Sequence, residues 1–313
     1  MTDAGQRSAS PSHATVDGHA FLSLRALAKT DGRTTAEYLR LYALEGFLAR
    51  LAISAYADDL ILKGGVLLAA YALRRPTADI DFAIKNRSNE VEEVRTLVIE
   101  IARIQLSGDD DDGLVFDVSA VTAESIREED EYSGVRVTLR AKLATAVEPF
   151  HVDVNVGDPI WPAPNEIELP KLLGGEIRLL GYPMTMVLAE KAVTALQRAT
   201  ANTRWRDFGD IYQLTGQHSY SAEAARGSLA EVARFRDVEL TPARLTLEGF
   251  AELGQARYLR WRNRLELGDR LPESFAEVLE ALFAYMDPLV TGDEVLDTAS
   301  WDPVTRSWDL IPA

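Results

Sequence analysis

The sequence predicts an α/β (α+β) fold, in which helices cover a small mixed sheet and a mostly helical C-terminal lobe follows. The 313 residues exceed what one hydrophobic core usually holds, so two domains are expected. Helical and strand periodicities alternate up to residue 156, and mainly helical periodicity follows residue 170. We therefore expect a disordered tail over residues 1–20, a first domain over 21–165 and a helical domain over 166–313.

The composition excludes several classes of protein. Acidic residues outnumber basic ones by 49 to 33, giving a formal charge of −16, so a broadly basic, polyanion-binding surface is not expected. The absence of cysteine excludes disulfides, iron–sulfur clusters and thiolate zinc sites. The longest uncharged apolar stretch, residues 64–73, is about half a membrane span, and the first twenty residues lack a signal-peptide core. We expect a cytoplasmic protein with no membrane partner.

The first domain is expected to begin with a helix. Leucines at helical spacing predict it over residues 21–57, with Thr34 or Thr35 as an N-cap. The segment LILKGGVLLAAYAL follows. It predicts a short apolar run, a turn at Gly64 and Gly65, and an apolar helix.

Strand periodicity then places acidic residues on sheet faces. Asp79 and Asp81 alternate with apolar residues over residues 78–84, so both carboxylates share one face of a strand. Asp153 lies on the polar side of a later run, FHVDVNV. The remaining expected elements are a helix over 89–106, a solvated acidic turn over 108–113, and strands over 114–121, 135–144 and 150–156.

The second lobe is expected to be helical. Four prolines over residues 157–170 predict a connector between the lobes. The segment from residue 287 to 313 is expected to be irregular. Helices are predicted over residues 184–199, 203–214, 221–235, 241–267 and 272–285.

Three aspartates could converge into a metal site. Asp79 and Asp81 present parallel carboxylates from one strand, and Asp153 could join them across the sheet. Three carboxylates in a partly buried site cannot all stay ionised without a cation. Magnesium is the natural ion, because it prefers oxygen ligands and is completed by water and phosphate.

Cationic residues and glycines accompany the aspartates in a fixed order. Gly64 and Gly65 would let a phosphate approach the backbone, and Lys63 adjoins them. Lys191 interrupts an apolar helical pattern and could counter a triphosphate. The helix that follows carries Asp207 and Asp210 three residues apart, on one face. Each motif alone has an ordinary structural interpretation, whereas their joint order is far more specific.

That order resembles the AbiEii/AbiGii toxin family of bacterial type IV toxin–antitoxin systems, whose members are DNA-polymerase-β-like nucleotidyltransferases. The mycobacterial tRNA-modifying members are the most similar in character. The resemblance covers close to half the chain. Its motifs are Lys63-Gly64-Gly65, the run Arg75-Pro76-Thr77-Ala78-Asp79-Ile80-Asp81, Val152-Asp153-Val154, Ala189-Glu190-Lys191 and Arg206-Asp207-Phe208-Gly209-Asp210-Ile211.

The resemblance implies a nucleotidyltransferase-fold catalytic lobe and a site. Asp79, Asp81 and Asp153 would bind one or two Mg²⁺ ions, and Asp153 would also accept the proton of an attacking hydroxyl. Lys63, Gly64, Gly65, Lys191 and Asp207 would bind the nucleotide, and Lys191 and Asp210 would act with the aspartates in catalysis.

The resemblance also implies a reaction and its partners. An NMP would pass from an NTP, CTP or UTP, to the 3′ acceptor end of tRNA. Aminoacylation and translation would then stop, and a cognate antitoxin would oppose the toxin. A phosphate on Thr77 would add negative charge beside the carboxylates and repel the triphosphate.

Two alternatives remain open. One is the same chemistry on a protein or small-molecule hydroxyl, and the other is a non-catalytic protein that binds nucleotide or a partner. A possible RNA-binding segment, residues 257–264, interleaves arginines with aromatics. Packing of Tyr258 and Trp261 into a core is the favoured interpretation there. Arg198, Arg204 and Arg206 could instead help to seat an acceptor end.

Overall fold

A computed structural model gives the structure of residues 10–85, 87, 90–127, 133–292 and 298–310. The chain divides into two compact units. The first comprises residues 1–157 and 165–181, and the second comprises 158–164 and 182–313. Residues 1–9 of the predicted tail lie outside the described residues, whereas the rest of that tail already includes the start of a helix at Val16.

The first unit is built on one sheet. Its helices are α1 (Val16–Thr30), α2 (Thr35–Ala52), α3 (Gly64–Leu67) and α4 (Val91–Ala102). Its strands are β1 (Leu60–Lys63), β2 (Asp79–Ile84), β3 (Val115–Phe116), β4 (Thr122–Arg127), β5 (Ser133–Leu143), β6 (Ala146–Val156), β7 (Asn165–Pro170) and β8 (Glu176–Gly181).

The sheet is mixed, as the sequence predicts. The strand order is β3-β5-β6-β2-β1-β8-β7, and β4 pairs with β5. Strand β2 runs parallel to β6, and β1 runs parallel to β8, while the other neighbouring pairs are antiparallel. The central strands β1, β2 and β6 therefore carry the predicted glycine turn and all three predicted metal-binding aspartates.

One face of the sheet is apolar and packed. Ile80, Phe82 and Val152 are fully buried on it. Phe47 of α2 packs edge-on against Phe116 and Phe150, with ring centroids 6.3 and 6.1 Å apart. Burial of these side chains fixes which way β2 and β6 face, because shifting a strand by one residue would turn its apolar side to solvent. Asp79, Asp81 and Asp153 must then lie on the opposite face.

The predicted connector is shorter than expected. Residues 158–164 belong to the second unit, but Asn165–Pro170 forms edge strand β7, paired with β8 in the first unit. Alternating burial of Ile167 and Leu169 explains the strand. Pro170 is its last residue, where a missing N–H removes little from the ladder. The predicted domain boundary after residue 165 is therefore wrong, because the first unit extends to residue 181.

Glycines divide two of the predicted helices. The helix expected over 21–57 is broken near Gly32, whose φ of +68° is unfavourable for other residues. Thr34 then caps α2, because its side chain accepts a hydrogen bond from the Glu37 amide at 3.3 Å. The helix expected over 241–267 is likewise divided before Phe250 by Gly249, at φ +73°.

The acidic turn over residues 108–113 is only partly solvated. Asp109, Asp110 and Asp111 are exposed, as predicted. The Asp112 carboxylate instead accepts two hydrogen bonds from Arg50, at 2.6 and 3.1 Å, and the Arg50 side chain is 2% exposed. A buried arginine on α2 therefore attaches this turn to the core.

The second unit is mainly helical, as predicted. Its elements are α5 (Met184–Arg198), α6 (Trp205–Thr215), α7 (Ala222–Phe235), α8 (Ala243–Thr246), α9 (Phe250–Arg264), α10 (Phe275–Thr291), β9 (Ala299–Asp302) and β10 (Ser307–Leu310). No helix in the described part of the chain is long and apolar enough to cross a membrane.

The C-terminal segment is not irregular, contrary to the prediction. Helix α10 continues to Thr291, and β9 and β10 form an antiparallel hairpin. The Trp301 indole donates to the Thr215 carbonyl at 2.7 Å, and the Trp308 indole donates to the Tyr285 carbonyl at 2.9 Å. The hairpin therefore satisfies carbonyls at the end of α6 and within α10. Residues 293–297 and 311–313 of the segment lie outside the described residues.

Candidate active site

The glycine turn lies against the acidic face of β2. Strand β1 ends at Lys63, and Gly64 has a φ of +67°. A Cβ on Gly64 would overlap the Asp81 carboxylate, so this position requires glycine for both its conformation and its space. The Gly65 amide donates a hydrogen bond to Asp81. The expected apolar helix is short here, since α3 continues only as a 3₁₀ turn to Tyr71.

Four charged residues occupy one row across the sheet. Lys63 on β1 is opposite Asp81 on β2, which is opposite Asp153 on β6, which is opposite Arg136 on β5. Directly opposed residues on neighbouring strands are close enough for their side chains to interact. The row therefore places two carboxylates side by side, with a cation on each flank.

Burial and like charge act together on Asp81. Its side chain is partly buried in the sheet, and the loss of hydration there raises the pKa of Asp81 to about 6. The nearby carboxylates of Asp153 and Asp79 raise it further, while Lys63 and the Gly65 amide oppose the shift. Loss of hydration and neighbouring negative charge therefore outweigh Lys63 and the Gly65 amide at Asp81.

Asp153 is held by an arginine that was not among the sequence candidates. The Arg136 Nε donates to Asp153 Oδ1 at 2.8 Å, and its Nη2 donates to Oδ2 at 2.6 Å. Both oxygens are therefore bound in the two-pronged geometry typical of arginine and carboxylate. In the sequence, Arg136 alternates with Val135 and Val137, which are buried on the apolar side. That alternation could have placed Arg136 on the acidic face.

A second row lies one step along the same face. Asp79 is opposite His151, which is opposite Thr138. The His151 Nδ1 and the Thr138 hydroxyl are 2.9 Å apart and share a hydrogen bond. Thr77 lies at the entrance to β2, where its hydroxyl donates to the Asp79 carbonyl at 3.3 Å. A Cβ on Gly65 would be 3.0 Å from that hydroxyl, so Thr77 borders the glycine turn.

Lys191, Asp207 and Asp210 form a compact ion cluster in the second unit. The Lys191 Nζ on α5 lies 2.8 Å from Asp207 Oδ1 and 2.8 Å from Asp210 Oδ2, both on α6. The three-residue spacing predicted that both aspartates would share a helix face, and the ion pairs agree with it. The Asp210 side chain is 3% exposed, so the cluster connects two helices through largely buried charges.

The predicted site residues thus form two groups. Lys63, Gly64, Gly65, Asp79, Asp81 and Asp153 come together in the first unit. Lys191, Asp207 and Asp210 come together in the second unit. The action of both groups on one triphosphate remains a prediction.

Aromatic residues of the segment 257–264 are used for packing. Tyr258 is fully buried, its hydroxyl donates to the Pro272 carbonyl at 2.6 Å, and its ring packs against Trp261. Arg262 donates to the Leu271 carbonyl at 2.8 Å. The packing interpretation is confirmed for these residues, while the other three arginines of the segment are exposed.

Comparison with known proteins identifies the family. The family model described as nucleotidyl transferase AbiEii toxin, type IV TA system, matches residues 46–281. The chain belongs to the AbiEii family. This protein is therefore a nucleotidyltransferase of a toxin–antitoxin family, as the motif order predicted. Helix α1 and the C-terminal hairpin lie outside the matched residues.

Solved structures add little to this assignment. The chain is similar to JHP933 from Helicobacter pylori, with 12% identity over 72% of this chain and 94% of that one, at a TM-score of 0.32. It is also similar to a protein described as a candidate nucleotidyltransferase from H. pylori, with 11% identity over 72% and 93% of the two chains, at a TM-score of 0.31. Likeness at these scores carries no argument about function. No curated protein matches the chain.

The acidic face suits a divalent cation in its chemistry. AbiEii-family nucleotidyltransferases generally use an NTP and a divalent metal. Asp79, Asp81 and Asp153 offer the hard oxygen donors that such a metal prefers. Desolvation raises the pKa of Asp81, and the neighbouring carboxylates of Asp153 and Asp79 raise it further. Among the described residues, no group of three acidic or histidine side chains is already arranged as a metal site. Asp153 is bound instead by Arg136.

Alanine at Gly64 should stop this AbiEii-family enzyme, because the new Cβ must displace the Asp81 carboxylate. We expect Gly64→Ala to lower pyrophosphate release from NTP by about 100-fold, the usual cost of misplacing a reacting group by about 1 Å. Gly32→Ala is the matched control, since its φ is +68° but nothing lies within 4 Å of its Cβ. Each variant should lose about 1–2 kcal/mol of stability from the left-handed backbone alone, and Gly64→Ala should lose more because of the overlap. Equal activity in the two variants would contradict this role for Gly64.

Substitution at Lys191 should separate its structural and chemical roles. Lys191→Met leaves Asp207 and Asp210 without their shared cation, so we expect a loss of about 3 kcal/mol in stability and at least about 100-fold in nucleotidyl transfer. The double variant Lys191→Met/Asp210→Asn removes the charge repulsion between the two carboxylates and restores the net charge of the wild-type cluster. It should recover much of the stability, measured by urea unfolding, and none of the activity. Recovery of activity in the double variant would show that Lys191 is needed for folding alone.

Proposed function

We propose that this protein transfers an NMP from CTP or UTP to the 3′ acceptor end of tRNA in a Mg²⁺-dependent reaction. The added nucleotide blocks aminoacylation and hence translation, and a cognate antitoxin opposes the activity. One observation carries the proposal. In a chain of the AbiEii nucleotidyltransferase family, parallel pairing of β2 with β6 brings Asp81 beside Asp153 next to the glycine turn.

The reaction requires a base, a cation site and counter-charge for the triphosphate. Asp153 accepts the proton of the terminal hydroxyl of the acceptor. The hydroxyl oxygen then bonds to the α-phosphorus, the bond to the bridging oxygen breaks, and pyrophosphate leaves. Asp79, Asp81 and Asp153 would hold the Mg²⁺, which would supply positive charge to offset that of the phosphate oxygens. Lys191 supplies further positive charge, and Asp207 and Asp210 fix its position.

An exposed basic stripe supports a polyanionic acceptor. Arg257, Arg260 and Arg264 follow one another at helical spacing on α9, and all three are exposed. Within the described part of the chain, none of them makes a hydrogen bond or ion pair. A cluster of three unpaired arginines is notable in a chain with a formal charge of −16. Arginine suits phosphate, because its planar guanidinium donates to two oxygens at once.

The direct test supplies the purified protein with total tRNA, Mg²⁺ and each α-labelled NTP in turn. We expect label in tRNA with CTP or UTP, and its loss with EDTA. Asp79→Asn should lower transfer by at least about 100-fold, because it removes a charged donor from the cation site. Asp58→Asn is the control, since Asp58 is an exposed acid of the same unit.

The same assay separates the alternatives. Label in a protein or a small molecule, with tRNA unlabelled, would contradict tRNA as the acceptor while keeping the chemistry. No label in any acceptor, with growth inhibition unchanged in Asp79→Asn, would contradict catalysis at this site.

Salt dependence tests the basic stripe. The triple variant Arg257→Gln/Arg260→Gln/Arg264→Gln should weaken tRNA binding by about 10- to 100-fold. It should also reduce the slope of log affinity against log salt by about 2, since each phosphate contact on a single strand contributes about 0.7. The matched control is Arg25→Gln/Arg103→Gln/Arg140→Gln, which removes three exposed arginines from the first unit. Equal slopes in the two triple variants would show that the stripe does not contact RNA.

A further inference from the structure

Arg136 binds the same Asp153 oxygens that a metal ion in the cation site would use. Both Asp153 oxygens are bound by the guanidinium, at 2.8 and 2.6 Å, and the Asp153 side chain is 9% exposed. A metal ion that uses Asp153 must therefore replace this contact. Arg136 itself is 33% exposed, so its side chain has room to move away from the carboxylate.

Charge along the row is already balanced without a metal. From β1 to β5 the residues are Lys63, Asp81, Asp153 and Arg136, which together carry two positive and two negative formal charges. Nearby carboxylates otherwise need a cation to remain ionised. Arginine and lysine supply that charge here, so the sheet can form before any ion arrives. Among the described residues this agrees with the finding that no three acids are arranged around a vacant ion position.

We propose that Arg136 is an internal counter-ion that competes with the divalent cation for Asp153. The proposal rests on the cation site of the proposed function. Because the guanidinium and the cation bind the same oxygens, Arg136 lowers the affinity of the site for a cation alone. The ion then binds tightly only when the nucleotide supplies further oxygen ligands. Arg136 is in this sense a positioning residue, which acts on the site through Asp153.

Removal of Arg136 should make the stability of the protein depend on an added cation. In Arg136→Gln the row loses one positive charge, so two adjacent carboxylates depend on an added cation. We expect the melting temperature of Arg136→Gln to fall in EDTA and to rise by about 3 °C or more with Mg²⁺, as expected for about 1 kcal/mol in a unit of this size. The wild-type protein should respond to Mg²⁺ by less than about 1 °C, a shift worth only a few tenths of a kcal/mol.

Direct binding provides a second measurement. Free Mn²⁺ can be followed by electron paramagnetic resonance during titration without nucleotide. We expect Arg136→Gln to bind Mn²⁺ at least about tenfold more tightly than wild type, since loss of a competing charge-assisted contact is worth about 1.4 kcal/mol or more. The double variant Arg136→Gln/Asp153→Asn should lose this increase in Mn²⁺ affinity, because it lacks the Asp153 carboxylate.

Two controls separate the proposal from a folding defect. Arg140→Gln changes the same residue type on the same strand and face, four residues away and exposed, and it should behave as wild type. Arg136→Lys keeps the charge without the two-pronged contact and should show an intermediate Mn²⁺ affinity. If Arg136→Gln folds poorly in EDTA and Mg²⁺ does not restore it, Arg136→Lys still reports the competition.

The proposal fails if Mn²⁺ affinity is equal in wild type, Arg136→Lys and Arg136→Gln. It also fails if Mg²⁺ changes the melting temperature of all three proteins by the same amount. Its failure differs from failure of the proposed function. If the wild-type protein labels tRNA and the Arg136 variants bind Mn²⁺ with wild-type affinity, only this inference is overturned. Competition at Asp153 in a protein that labels no acceptor would overturn only the proposed function.

Discussion

The carboxylates of Asp81 and Asp153 lie on neighbouring parallel strands at the same register, where Asp153 is buried and Asp81 is half-buried. Two like charges in such a place repel each other and lose hydration, and the raised pKa of Asp81 records both effects. Neighbouring cationic side chains and a backbone amide partly offset this repulsion. Lys63 and Arg136 flank the two acids, and the Gly65 amide donates to Asp81.

The rest of the first unit holds this unfavourable arrangement in place. Burial of Phe82 and Val154 on the far side of the sheet prevents β2 and β6 from turning their acids away. Gly64 leaves the space that the Asp81 carboxylate occupies. Stability gained from apolar packing on one face thus maintains concentrated charge on the other, which is typical of sites that bind charged substrates.

A similar principle operates in the second unit with the charges reversed. Lys191 is a single cation between two aspartates, and α6 carries both of them at a three-residue spacing. The two carboxylates fix the position of the ammonium group between the helices. The hairpin formed by β9 and β10 satisfies carbonyls at the far end of α6, so residues beyond the family match help to hold that helix.

The sequence correctly predicted the features of the site that depend on local residue patterns. Alternation placed Asp79, Asp81 and Asp153 on one side of their strands, and the adjacent Gly64 and Gly65 marked the turn. Arg136 was missed because its partner depends on the pairing register of β5 with β6, which a tight turn at Ala144 fixes without a glycine or asparagine to signal it. Strand β7 was missed because nearby prolines concealed the alternation of Ile167 and Leu169.

Location of the bound ion tests the central claim most directly. A crystal of the protein grown with Mn²⁺ and a non-hydrolysable NTP analogue would show the ion by anomalous scattering. The account predicts density bounded by oxygens of Asp79, Asp81 and Asp153, next to the glycine turn, with the Arg136 guanidinium displaced from Asp153. Density at another place, or Asp153 still bound by Arg136 with both oxygens in the loaded crystal, would contradict it.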